Sequence, residues 1–145
     1  MSFPAPAPGQ VIAYSYLWRS EQELGRSEGV KDRPCAVLLA RLERDGRQTV
    51  LVLPITHRAP ADPSDGIEIP VATKRRLGLD GQRSWIVLTE ANRFAWPGPD
   101  LRPRRVGVPG SVLYGLLPRT LFEEVRRRFV ERVKAGQAAM AHRTE

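Results

Sequence analysis

Two apolar runs separated by a short polar turn set the strongest limit on what this chain can fold into. Pro34 to Leu42 and Thr49 to Ile55 both have strand composition, and Glu43-Arg44-Asp45-Gly46-Arg47 joins them with Asp-Gly at its centre. That arrangement predicts a β-hairpin. The second run is apolar on both faces, as a central strand is. Pro34 has no N–H to give a ladder, so it belongs at a strand start or on an edge. The hairpin then sets the start of the first run beside the end of the second. Arg33, Thr56 and His57 stand at that end, a guanidinium, a hydroxyl and an imidazole that the hydrophobic patterning does not require.

The rest of the chain supplies more short strands. Val11 to Tyr16 alternates with period two, and Gly66 to Ile69 does the same more briefly. Pro70 opens a helical turn that ends near Gly78. Ser84 to Thr89 is a buried-type strand running out through Glu90-Ala91-Asn92-Arg93-Phe94, with Trp85 expected in the core because it alternates with Val87. Val112 to Leu116 makes a last short strand. One long helix is expected, from Pro118 in the first-turn position, with Leu121, Phe122, Val125, Phe129 and Val133 along one face and Gly136 as its C-cap. Arg19 to Asp32 is polar, carries Gly25 and Gly29, and reads as a long connection without an element of its own. No helical crossovers are expected before residue 118, which argues against a parallel α/β fold. The fold class expected is α+β, mostly β, with five to seven short antiparallel strands curled into a small sheet or barrel against the C-terminal amphipathic helix. Residues 1–8 form a flexible Pro/Ala-rich lead, 9–136 one domain, and 137–145 a frayed tail.

Composition narrows the function classes. A chain of 145 residues buries a core without staples. Its single Cys35, inside an apolar run, reads as a small buried hydrophobe of a reduced, cytoplasmic protein. One Cys and two His without ligand spacing cannot fill a tetrahedral zinc site. No stretch of about 18 apolar residues is present, and the first residues lack the basic and apolar regions of a signal peptide. The 23 Lys and Arg against 16 Asp and Glu, a net charge of +7, favour a polyanionic partner.

Four segments in order carry a resemblance: Gly9-Gln10-Val11-Ile12, Arg33-Pro34-Cys35-Ala36-Val37-Leu38, Leu53-Pro54-Ile55-Thr56, and Ser84 to Arg93 ending in Glu90-Ala91-Asn92-Arg93. Together, over residues 9 to 135, they resemble the PemK/MazF toxin family of type II toxin–antitoxin systems. The resemblance implies an SH3-like barrel with a C-terminal helix, acting as a homodimer. It implies a metal-independent endoribonuclease, without cofactor, that cuts single-stranded RNA at short sequences and is neutralised by a cognate antitoxin. Arg33 and Thr56 fall on the family's catalytic pair, and Glu90 and Arg93 on a later motif that contacts RNA or supports the site.

RNA cleavage through its own 2′-OH needs a base, positive charge on the phosphorane and a proton for the leaving oxygen. The Arg33 fork suits two phosphoryl oxygens, and Thr56 suits a phosphate oxygen or the 2′-OH. His57, where many relatives carry a small hydroxyl residue, is a candidate proton carrier. It shares the site only if the strand ends at Thr56, because neighbours on an unbroken strand point to opposite faces. Trp18 and Trp96, beside loops, are candidate base-stacking platforms. Simpler roles stand beside these: Arg33 paired with Asp32, Thr56 bonded to local backbone, Glu90 and Arg93 as an ion pair, and Arg126-Arg127-Arg128 with Arg132 and Lys134 as solvated helix surface. Departures from the family are the long 19–32 connection, the Pro- and Arg-rich 96–105 segment, and Leu88 where some members carry a second Arg. Two rival functions remain: a non-catalytic barrel that binds nucleic acid or a protein, and a topoisomerase poison on the same barrel.

Overall fold

The structure, a computed structural model, describes residues 3–25 and 32–143. Along the chain it forms β1 (Gln10–Tyr14), α1 (Arg19–Glu23), β2 (Arg33–Leu42), β3 (Gln48–Thr56), a 3-10 turn (Pro63–Asp65), β4 (Gly66–Glu68), α2 (Val71–Leu77), β5 (Trp85–Val87), β6 (Glu90–Trp96), β7 (Leu113–Leu116), α3 (Arg119–Lys134) and β8 (Ala139–His142). The class is α+β and mostly β. Strand order is β4-β5-β3-β2-β1-β7, with β6 also on β3 and β8 on β6. All pairings are antiparallel except β6 with β8. The path from β4 to β7 does not close on itself. Among the described residues no helix is long and apolar enough to cross a membrane.

The expected hairpin is the centre of the fold. β2 and β3 pair from Leu42–Gln48 to Cys35–Pro54. On its other edge β3 changes partner: Gln48 to Val52 pair with β6, Ile55 and Thr56 with β5. Pro54, which has no N–H for a ladder, lies in the gap between the two partners. β3 is apolar on both faces because it feeds two cores. Leu51, Leu53 and Ile55 join Leu77 of α2 and Val125 and Phe129 of α3 in one cluster. Val50 and Val52 join Tyr14, Tyr16, Cys35, Val37 and Phe94 in the other. Gly115 (φ +148°) lets β7 come close to α2: a Cβ there would meet Leu77 Cδ2 at 2.8 Å.

Four expectations need correction. The frayed tail is partly ordered: Ala139 to His142 form β8, which raises the strand count to eight. Its anchor is Arg143, 8% exposed, whose Nη1 donates to Asn92 Oδ1 (3.1 Å) and Ser15 O (2.8 Å). Nη2 lies 2.9 Å from Asp100. A short helix, α1, interrupts the 19–32 connection; residues 26–31 lie outside the described residues. In β5 it is Ile86 that is buried, opposite Ile55 and Ile67, while Trp85 is half-buried with the Arg83 guanidinium 5.0 Å from its ring. The apolar face of α3 runs out before its end: Val125 and Phe129 are buried but Val133 is 40% exposed. At that end Gly136, in the left-handed conformation, turns the chain so that Gln137 N–H reaches Arg132 O at 2.8 Å.

Candidate active site

The β2–β3 ladder stops at Cys35 and Pro54, two residues short of Arg33 and Thr56. There the chain ends border a cleft of about 1100 Å³ whose lining includes Trp18, Arg33, Thr56, His57, Asp80 and Tyr114. β3 ends at Thr56 and the backbone bends at His57 and Arg58. The condition for Thr56 and His57 to share a cavity is therefore met.

Arg33 stacks on Trp18, its guanidinium carbon 4.8 Å from the ring centroid. Its Nε is buried and has no hydrogen-bond partner among the described residues. Asp32 pairs with Arg102 instead (3.2 Å), not with Arg33. Thr56 Oγ1 accepts from Arg58 N–H at 3.2 Å, which leaves its own proton free to donate. The Thr56 hydroxyl is thus already oriented by local backbone, and still available.

His57 has a partner that the sequence did not reveal. Its Nε2 lies 2.8 Å from Asp80 Oδ2 and 3.0 Å from Oδ1. Asp80 sits just past the left-handed Gly78 that ends α2. Its Oδ1 also accepts from Lys74 Nζ and from Gln82 N–H, each at 3.1 Å. Lys74, its side chain 6% exposed, donates as well to Gln82 O. Desolvation pushes the Asp80 carboxyl up, but the hydrogen bonds from Lys74, His57 and Gln82 outweigh it and hold the group below the usual range. Asp80 is therefore a fixed anion at neutral pH.

Charge in the cleft is lopsided once partners are assigned. Asp32 is paired with Arg102, Asp65 with Arg132 (2.8 Å), and Asp80 with Lys74 and His57. Arg33 and Arg58 have no carboxylate partner among the described residues. Among the described residues the cleft thus presents two guanidinium groups without a carboxylate, a hydroxyl donor and an imidazole. That set can bind a phosphoryl group and move a proton beside it. The Pro- and Arg-rich segment does not line the cleft but packs on two residues that do: Arg104 lies 4.1 Å over the Tyr114 ring and Arg102 holds Asp32.

The other candidate residues divide. Trp18 is in the cleft, clamped from behind: Asn92 Oδ1 accepts from Leu17 N–H and Asn92 Nδ2 donates to Leu17 O, both at 2.8 Å. Glu90 is not in the cleft lining. Its Oε1 accepts from Tyr16 O–H (3.1 Å) and Arg19 N–H (2.9 Å), so it supports the segment that carries Trp18. Burial pushes the Glu90 carboxyl up, partly offset by those two hydrogen bonds. Arg93 is not brought to the cleft. It borders a shallow groove with Arg47 and His142, and its nearest carboxylate is Glu43 at 3.9 Å rather than Glu90. Trp96 also lies elsewhere, beside Phe94 (ring centroids 6.1 Å) at the far end of β3 opposite Gln48. The basic run of α3 is partly structural, since Arg128 and Arg132 both donate to Ser64 O. No family model and no curated protein matches this chain, so the reading of the site rests on its own geometry.

Proposed function

We propose that this protein is a metal-independent endoribonuclease of the PemK/MazF toxin kind that cuts single-stranded RNA at short sequences. It acts in the cytoplasm as a homodimer of SH3-like barrels and is silenced by a cognate antitoxin. One observation carries this reading: Arg33, Thr56 and His57 line one cleft in which, among the described residues, every acidic group already has a cationic partner.

Arg33 binds two non-bridging oxygens of the scissile phosphate and stabilises the charge that grows on the phosphorane. Thr56 donates its proton to the same phosphoryl group and positions it. His57 takes the proton of the 2′-OH as the 2′-oxygen bonds to phosphorus. The bond from phosphorus to the 5′-oxygen then breaks, and that oxygen takes a proton from water. His57 later returns its own proton to solvent. The products are a 2′,3′-cyclic phosphate and a free 5′-hydroxyl. Trp18, held against Arg33, offers a ring face to a neighbouring base.

The test is incubation of the purified full chain with mixed single-stranded RNA in EDTA. Discrete fragments ending in 2′,3′-cyclic phosphate are expected, and an all-deoxy strand of the same sequence should stay whole. Uncut RNA, or equal cleavage of the deoxy strand, overturns the reading.

A further inference from the structure

We infer that Asp80 is a positioning residue that fixes His57 in the tautomer with its proton on Nε2, so that Nδ1 is the ring's one acceptor and takes the 2′-OH proton. This deepens the nuclease reading and rests on it for the cleavage step alone. The geometry does not depend on that reading. A neutral imidazole carries one N–H, and the nitrogen facing a carboxylate keeps it. Here that nitrogen is Nε2, with both Asp80 oxygens within 3.0 Å.

Asp80 can impose this choice because it is itself fixed. Lys74 Nζ and Gln82 N–H both bind Oδ1, while Oδ2 makes the shorter contact to His57. Lys74 is buried and has a second acceptor in Gln82 O. The carboxylate thus has Oδ1 shared between the α2–β5 connection and the imidazole, and Oδ2, the nearer oxygen, left to the imidazole alone. An exposed histidine on a bend would otherwise turn freely.

The same contacts make Asp80→Asn a sharp test. Two donors, Lys74 and Gln82 N–H, hold the position of Oδ1, so the amide oxygen stays there. The amide NH₂ then replaces Oδ2, which at 2.8 Å is nearer His57 Nε2 than Oδ1 at 3.0 Å and is not shared with Lys74 or Gln82. An N–H on Nε2 would face that NH₂, so the NH₂ donates to Nε2. Nε2 becomes an acceptor and the ring proton moves to Nδ1. A wrong tautomer removes the base without emptying the site, and a loss of about 10²- to 10⁴-fold in kcat is expected with KM little changed.

The experiment uses the full chain with ¹⁵N-labelled histidine at about pH 8.5, ~2 units above the ordinary imidazole value. Ring-nitrogen shifts and couplings report the tautomer, with His142→Gln used to assign the two histidines. The wild type should show Nε2–H at His57, and Asp80→Asn should show Nδ1–H. Should Asp80→Asn not fold, Asp80→Ser replaces it, with a mixture of both tautomers expected. Kinetics on a single-stranded RNA follow, with Asp80→Glu expected to restore part of kcat. An Nδ1–H wild type, or a tautomer unmoved by loss of the carboxylate, overturns the inference. A tautomer that switches in a protein that never cuts RNA upholds the positioning role of Asp80 and sinks the nuclease reading instead. A tautomer that switches with kcat unchanged overturns the assignment of His57 Nδ1 as the base.

Discussion

On the proposed nuclease reading, Arg33→Met is expected to separate catalysis from stability, because the structure places opposing effects on the same side chain. Arg33 has a buried Nε without a partner among the described residues. Leaving such a donor unsatisfied costs about 1–3 kcal/mol. Against this, its guanidinium lies on the Trp18 ring at 4.8 Å, worth about 0.5–2 kcal/mol. Methionine removes the orphaned N–H and the charge. It keeps an unbranched stem along Trp18, with a sulfur–aromatic contact of about 0.3–1.5 kcal/mol in place of the cation. Gains and losses nearly cancel, and the net change in folding free energy is expected within about 1 kcal/mol of zero. For a chain of this size that is a shift of about 4 °C or less in Tm.

Activity should behave quite differently. Each preorganised donor to a developing anion is worth about 10²–10³-fold in rate. Methionine removes both prongs of the fork, so a loss of about 10⁴-fold or more is expected. The assay pairs a thermal melt with single-turnover cleavage of a fluorescent single-stranded RNA in EDTA. A variant that melts several kcal/mol below wild type would make Arg33 a structural residue. Cleavage within tenfold of wild type would end its role on the phosphorane.

Two more predictions concern the supports behind the cleft. Asn92→Ala leaves Leu17 N–H and C=O and one bond of buried Arg143 without partners, and should cost roughly 3–5 kcal/mol; a urea melt showing under about 1 kcal/mol would remove Asn92 as an anchor. Glu90→Gln keeps both hydrogen bonds, since Tyr16 O–H and Arg19 N–H use the same oxygen, Oε1. Because the folded-state pKa of Glu90 is raised above its ordinary 4.5, ionisation is harder in the folded chain, and wild-type stability declines relative to Glu90→Gln as pH climbs from about 4.5 through the raised value. Melts across that window check the sign, and a wild type that gains on the variant with rising pH would refute it.

That Arg33, Thr56 and His57 border one cleft was legible in the sequence because a hairpin is a local object. An Asp-Gly turn and two apolar runs set which ends lie together, and Pro34 and Pro54 kept to positions where a missing N–H does no harm. Asp80 was not legible: its contact with His57 spans 23 residues, and Asp80-Gly81 by itself reads only as a turn. β8 was hidden for another reason. Ala139-Met140-Ala141-His142 has no strong alternation, and its docking depends on Arg143 reaching Asn92 and Asp100, buried polar contacts that periodicity does not report. Trp85 misled because a three-residue strand has no pattern of its own; the neighbours Ile55 and Ile67 decide which face is inner. Trp96 and Arg93 share β6 with Glu90, but a strand running away from the cleft carries them out of reach.

Several buried and half-buried polar groups of this fold stand behind the cleft. Asn92 fixes Leu17, Glu90 fixes Tyr16 and Arg19, and Lys74 fixes Asp80 and Gln82. Each of these supports holds a segment that ends at a cleft residue: Trp18 in the first two cases, His57 through Asp80 in the third. Strand pairing cannot do this work, because the β2–β3 ladder has already ended at Cys35 and Pro54. Side-chain hydrogen bonds are the remaining means of holding loop residues to the narrow tolerance that a reacting geometry requires, roughly 0.5 Å. In low dielectric such bonds also punish any rearrangement that leaves a group unsatisfied. A surface that merely held RNA by charge would gain little from that rigidity, since phosphate contacts tolerate loose placement. Three such supports, two behind Trp18 and the Arg33 stacked on it and one behind His57, therefore favour a site built for a reaction over one built only for attachment.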